Sequence, residues 1–313
     1  MSIPKAKHLL FVIHGARAEL PSVRHLVDWV RAKGHTVTPR ITWERGDAQR
    51  FAAEGARDGA DTVVALGGDG TVNEVLNGLA GTDVPLGIVP LGTANDFARQ
   101  TGIPLDADHA MDVILRRKPA RIDVAELNGR RFLNASTAGI GAEATAETPA
   151  DAKEALGALA YAITGVRKLA ELQPIAARFE APGFDFESRF LVLAVGNGRA
   201  TGGGTQLTPK ASFVDGLLDV CVVEARARGG FARLTLKLRK GEHLDAPGVR
   251  YLQVPWLRVH AERPITVNVD GEPSEIAPLE YRVHARGLAS RGCATLSACR
   301  FPCRRSVSPC RRP

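Results

Sequence analysis

No run of apolar residues in this chain approaches the roughly 18 needed to cross a bilayer. "FLVLAV" at 190–195 is among the longest and reads as a buried strand. Any contact with a membrane is therefore expected to be peripheral. No leader is expected either: Lys5 and Lys7 precede "LLFVI", and five apolar residues before His14 are too few for a signal-peptide core. A cytoplasmic protein is the expectation. Cysteine is scarce, with Cys221 alone in the first 280 residues and Cys293, Cys299, Cys303 and Cys310 near the C-terminus. Gaps of five, three and six residues between those four lack the paired spacing of a zinc site, and no secreted context favours disulfides. Acids are absent beyond Glu280, where Arg282, Arg286, Arg291, Arg300, Arg304, Arg305, Arg311 and Arg312 stand without any lysine. Those eight charges, taken from a formal +7, leave about −1 for residues 1–280. The nucleic-acid partner that +7 would invite is therefore not expected.

What is present is enough for folded cores: 313 residues, 44% of them hydrophobic, allow two domains of ordinary size. "HLLFVI" (8–13), "TVTPRIT" (36–42), "DTVVAL" (61–66) and "PLGIVP" (85–90) read as strands, each followed by a helical pattern: Val23, Leu26, Val27 and Val30; Glu44 to Arg57; Val72, Val75, Leu76 and Leu79; "TANDFARQ". A further helix around "HAMDVILRR" leads to "RIDVAEL". Strands alternating with helices imply a parallel sheet covered on both faces, so residues 1–122 are expected to form a doubly wound, Rossmann-like α/β domain. After Asp123 short strands dominate, broken by Gly, Pro and Asp turns, which predicts a β-rich, antiparallel domain over 123–286. Its helices are expected at about 151–171 and 229–240. Residues 287–313, rich in Arg, Cys, Ser and Pro, lack alternation and read as a disordered tail.

Two glycine-bearing turns stand out in the first domain. In "LGGDGTVNEVLNG" (66–78), Gly67, Gly68 and Gly70 fall between a strand and a helix, the edge at which open α/β sheets bind ligands. Glycine there lets backbone N–H groups approach an anion, and the helix start adds partial positive charge. Any strand-to-helix turn could use glycine, and the loop is neither a Walker A sequence, lacking GK[ST], nor GxGxxG. "PLGTANDFAR" (90–99) repeats the arrangement, with Gly92 in the turn, Thr93 as N-cap and Asp96 at capping-box spacing. Two such turns at one sheet edge are expected to wall a nucleotide cleft. A third stretch, "RATGGGTQ" (199–206), reads equally as a substrate or phosphate loop and as a plain surface loop.

"GGDGTVNEV" followed by "PLGTANDFAR" resembles the catalytic domain of the diacylglycerol kinase family, and specifically the bacterial YegS-type lipid kinases. The similarity extends through "ITWERGDAQRF", "TAGIGAEATAETP", "GNGRATGGGTQLTPKASFVDGLLDV" and "VNVDGEP", over residues 8 to about 285. It implies a C-terminal β-sandwich, an active site in the cleft between the domains, and an ATP-dependent transfer of phosphate to a lipid hydroxyl in phospholipid metabolism. Carried over by motif, ATP contacts fall on Thr42, on Gly68, Asp69, Gly70, Thr71, Val72, Asn73 and Glu74, and on Thr93. Magnesium, with calcium as the alternative, falls on the Asp215 carboxylate and the carbonyls of Ser212 and Leu217. The proton acceptor falls on Glu272, with Asp270 two residues before it and Asp69 as a polar anchor near the phosphates. These types suit phosphoryl transfer, which needs N–H donors and a hard cation on phosphate plus a carboxylate for the hydroxyl proton. Bare Asp-Gly pairs such as 215–216 and 270–271 are otherwise ordinary hairpin turns. The resemblance also implies a closing strand after the DGE turn, and recognisable sequence stops near His284.

Overall fold

The computed structural model describes residues 6–139, 173–226, 234, 237–238 and 240–292. The expected helix at 151–171 and most of that at 229–240 lie outside the described residues.

Strands β1 (His8–Ile13), β2 (Thr36–Ile41), β3 (Thr62–Gly67) and β4 (Leu86–Pro90) pair in parallel in the order β2-β1-β3-β4. Their residues explain the arrangement. β3 and β4 are buried along their whole length, the pattern of strands covered on both faces. The covering helices α1 (Pro21–Ala32), α2 (Asp47–Arg57), α3 (Asp69–Gly78) and α5 (Ala107–Arg116) each turn one apolar stripe inward; α1 does so with Val23, Leu26 and Val30, and α5 with Ala110, Met111 and Ile114. A short helix, α4 (Asp96–Thr101), follows the second glycine turn. Because the chain passes from β1 to β2 on one side and returns to β3 on the other, the loops after β1 and β3 diverge, leaving a crevice at the carboxyl edge.

The second half is a mixed, mostly antiparallel array. It contains β5 (Ala120–Leu127), β6 (Arg130–Phe132), β7 (Ala135–Gly139), β8 (Ile175–Ala181), β9 (Phe184–Gly196), β10 (Leu218–Glu224), β11 (Val249–Val254), β12 (Trp256–Ala261), β13 (Ile265–Val269), β14 (Glu272–Ile276) and β15 (Leu279–Arg291). β8 alternates buried and open residues, as a strand with one wet face should, and its Phe179 packs on Phe186 and Phe190 inside a core shared with Phe132, Leu193, Val220, Leu257 and Val267.

β15 corrects the expected tail. Residues 287–291 are strand, and the closing strand is present: Tyr281–His284 pair with β5, Leu288–Ser290 pair with β5 again after a register shift, and Ser290 and Arg291 run parallel to β4. The last strand thus returns to the first sheet. Arg286, with φ of 53°, and Gly287 form the irregularity that breaks the alternation, and this hides the strand in the sequence. Within the paired ribbon, buried Glu126 accepts from Arg282 at 2.6 Å and pairs with His284 at 2.8 Å. Residues 293–313 lie outside the described residues.

Candidate active site

The carboxyl edge of the parallel sheet is built from backbone turns that hold one another. At the end of β1, Gly15 donates its N–H to Thr42 Oγ1 at 3.1 Å, and a Cβ on Gly15 would lie 2.4 Å from the Thr42 carbonyl. Thr42 therefore ties the ends of β1 and β2 together. After β3, Gly68 is the extended residue before α3, and no side chain caps the helix. The N–H groups of Asp69, Gly70 and Thr71 are then the donors that any helix start leaves without an intrahelical partner. A Cβ on Gly70 would meet nothing within 4 Å, so the space over this turn is open. Such a helix start favours an anion.

The second glycine turn lies directly against the first. A Cβ on Gly92 would sit 2.5 Å from the Cα of Gly68, so the two backbones touch where side chains would separate them. The Asp69 side chain crosses between them, accepting the N–H groups of Asp96 (3.2 Å) and Phe97 (3.3 Å). Burial, with Asp96 beside it, raises the pKa of Asp69 above the usual carboxylate value. The capping expected of Thr93 is not formed: Thr93 is exposed, and the residue before α4 is Asn95, left-handed at φ 48°. Asn95 clasps Gly92 from both sides, its Oδ1 accepting the N–H (3.1 Å) and its Nδ2 donating to the carbonyl (2.6 Å). Asparagine tolerates this backbone and carries its acceptor and donor on separate atoms, so that one side chain reaches both groups of Gly92. A small cavity lined by Gly68, Asp69, Val72, Asn95 and Phe97 marks the junction.

α3 then carries the site across to the second half. Asn73 donates from Nδ2 to Asp270 Oδ2 at 3.0 Å. The same carboxylate accepts the N–H groups of Leu133 (2.9 Å), Asn134 (3.0 Å) and Ala135 (3.1 Å). Four donors from two segments converge on one side chain, against a burial that pushes its pKa up to about 6. Asp270 and Gly271, both at positive φ, are also the turn between β13 and β14. Glu272 opens β14, only partly exposed, and takes Arg45 and Arg130 on the same oxygen, Oε2. Glu74, one residue past Asn73, accepts the Ala48 N–H at 3.1 Å and so holds the start of α2. Thr71 and Val72 are buried against the sheet, so in the GGDGT loop only the backbone is offered to a ligand there.

The 212–217 loop reaches the same region from behind. Buried Asp123 accepts Gly216 N–H (2.7 Å) and Arg286 N–H (2.7 Å), while its own N–H goes to the Phe213 carbonyl (2.7 Å). Phe213 meets Phe97 of α4 edge-to-face, with ring centroids 5.2 Å apart. Such a pair adds about 0.5–1.5 kcal/mol beyond its buried area. Asp215 accepts one N–H from Leu217 (3.1 Å), and partial burial, with Asp123 near it, raises its pKa above the usual carboxylate value. Nearby, Asp219 accepts Tyr251 O–H (2.6 Å) and Gln253 (3.1 Å) on Oδ1, and its other oxygen is buried without a partner. No three acidic, histidine or cysteine side chains cluster as a metal site among the described residues. The donors expected at Asp215, Ser212 and Leu217, a carboxylate and two carbonyls, are hard oxygens of the kind that suits magnesium or calcium.

The "RATGGGTQ" stretch is an ordered turn pinned to α4. Gly202, Gly203 and Gly204 all have positive φ, Thr201 and Thr205 bond each other across the turn, and Asp96 Oδ2 accepts Gly203 N–H at 3.0 Å. Gln100 accepts Arg199 and Ala200 N–H groups and donates to Asn134. Asp123, Gln100, Arg45 and Arg130 are not among the residues expected from sequence, and Asp96 is expected there only at capping-box spacing. Asn95 offers one local signal, an asparagine at a turn.

Comparison with known proteins accords with this geometry. Residues 8–127 match the family described as diacylglycerol kinase catalytic domain, and residues 136–289 match the YegS C-terminal NAD kinase beta sandwich-like domain. The chain is 43% identical over 282 residues to a protein of Pseudomonas aeruginosa named probable lipid kinase YegS-like, covering 90% of this chain and 92% of that one. It is 40% identical over 278 residues to a protein of the same name from Xanthomonas oryzae pv. oryzae, covering 85% and 90%. The crystal structure of a diacylglycerol kinase from Bacillus anthracis str. Sterne superposes with a TM-score of 0.72 at 26% identity, covering 91% of this chain and 96% of that one. With both family domains matched in order and relatives at this identity over most of its length, the chain belongs to the diacylglycerol kinase catalytic-domain family, in its YegS-type branch.

Proposed function

We propose that this protein is an ATP-dependent lipid kinase, moving the γ-phosphoryl group of ATP to a hydroxyl of a diacylglycerol- or phosphatidylglycerol-like lipid. One observation carries the reading: the hydrogen-bonded path from the GGDGT helix through Asn73 and Asp270 sets Glu272 beside the nucleotide edge. The N–H groups at residues 69–71 receive phosphate oxygens, with Thr42, Glu74 and Thr93 around the nucleotide. Glu272 takes the proton of the acceptor hydroxyl; the acceptor oxygen bonds to the γ-phosphorus as the bond to the β–γ bridging oxygen breaks, and ADP leaves. Asp69 and Asp270 act by holding the loops. Ser212, Asp215 and Leu217 would hold the divalent cation, which when bound supplies positive charge against the phosphates.

A lipid acceptor is supported by the names of the relatives and by the surface. Trp43, 92% exposed, and Ile41 stand at the carboxyl end of β2, where an aromatic side chain can enter a headgroup layer. No described helix is long and apolar enough to cross a membrane. In this reading the lipid is reached peripherally, from the cytoplasmic side. ADP release measured against vesicles of diacylglycerol, phosphatidylglycerol or a sphingoid base, and against NAD, with and without magnesium, tests the proposal. Turnover with one lipid class and magnesium is expected. Turnover with NAD alone would overturn it.

A further inference from the structure

The GGDGT turn supplies N–H donors but no cation, since the lysine of a Walker A loop is missing. Its surroundings are acidic: Asp69, Asp96, Asp270 and Glu272 all lie at or beside it. A triphosphate entering there needs positive charge from side chains as well as from any metal. Two guanidinium groups are in place. Arg45 comes from the β2–α2 loop, three residues past Thr42, and Arg130 from β6, which runs beside α3 through Asn73 and Asn77 donating to the Arg131 carbonyl. Both are directed at a single oxygen of Glu272. Two positive charges on one carboxylate leave an excess of +1, and an anion of higher charge competes for them effectively. Arg45 is free to move, with a side chain 68% exposed, while its loop is fixed by Asp47, which accepts the N–H groups of Trp43 (2.8 Å) and Glu44 (3.2 Å).

We propose that Arg45 and Arg130 are triphosphate-binding residues that rest on Glu272 when no nucleotide is bound. ATP draws them onto its phosphate oxygens, and the Glu272 carboxylate is left open to the acceptor hydroxyl. The site is then armed by its own substrate. This rests on Glu272 being the proton acceptor, but the binding half of it does not depend on the acceptor.

The test is equilibrium binding of ATP and of adenosine, with magnesium, to the full chain and to Arg45→Gln, Arg130→Gln and Arg45→Lys. A hydrogen bond to a charged group contributes about 1.5–3 kcal/mol, so each glutamine variant is expected to weaken ATP binding roughly ten- to hundredfold. Adenosine binding should stay within about twofold, and Arg45→Lys should recover part of the loss, lacking only the fork geometry. An unchanged ratio of ATP to adenosine affinity would overturn the proposal, because a merely structural role moves both ligands together. A variant with unchanged ATP affinity and faster turnover would show a latch on Glu272 without phosphate binding, also against it. If the wild type discriminates ATP through these arginines yet phosphorylates no lipid, the lipid-kinase reading fails and the arginine assignment stands.

Discussion

Glu272→Gln is expected to lower the rate of phosphoryl transfer by roughly 10²–10⁴-fold while ATP still binds. Glutamine keeps the shape and one acceptor oxygen but cannot take a proton from a hydroxyl near neutral pH. The variant also tests the pairing around the site. The wild-type carboxylate holds two arginines, and an amide holds them less strongly because its charge is gone. ATP affinity should therefore be equal to or tighter than wild type. Turnover by ADP release and ATP affinity by titration are both required: a normal rate would remove Glu272 from the chemistry, and a loss of ATP binding would make it a nucleotide ligand instead.

The largest effect on stability is expected from Asp270→Ala. The substitution strands the N–H groups of Leu133, Asn134 and Ala135 and the Asn73 amide in an enclosed place. Each buried donor left without an acceptor costs about 1–3 kcal/mol, less what water or small shifts recover. A total of about 3–5 kcal/mol is a large part of the 5–15 kcal/mol that stabilises an ordinary domain. Denaturant unfolding should show the midpoint falling accordingly, with Asp270→Asn losing less because one acceptor oxygen remains. ATP binding is expected to weaken in the same variants, since Asn73, on the helix proposed to present the phosphate turn, loses its Asp270 partner. A change of less than about 1 kcal/mol in Asp270→Ala would mean that these donors find other partners.

Local order was well marked in the residues. The apolar runs of β1, β3 and β4 and the helical spacing of Val23, Leu26 and Val30 follow from burial on known periods, and the two glycine turns fall at strand ends as their composition implies. The contacts that sequence does not mark join residues far apart along the chain. Asp270 meets partners 135 to 197 residues away, and Asp123 meets the 216 and 286 turns; no period or spacing encodes such pairings. Capping-box spacing points to Thr93 but takes no account of left-handed Asn95, which precedes α4 and whose side chain bonds Gly92 rather than the helix. The end of β15 reads as a tail because one irregularity at Arg286 and Gly287 interrupts alternation, although Leu288, Ala289 and Ser290 are all buried. The family resemblance proposes site residues by motif, whereas the pairing of Arg45 and Arg130 on Glu272 depends on the three-dimensional structure.

The most direct test follows the γ-phosphate itself. ATP labelled at that position is incubated with the protein, magnesium, mixed-lipid vesicles and NAD in one tube, and the label is counted after partition between organic and aqueous phases. The label is expected in an organic-phase lipid phosphate, in amounts that depend on Glu272 and magnesium; label confined to NADP or inorganic phosphate would contradict the account.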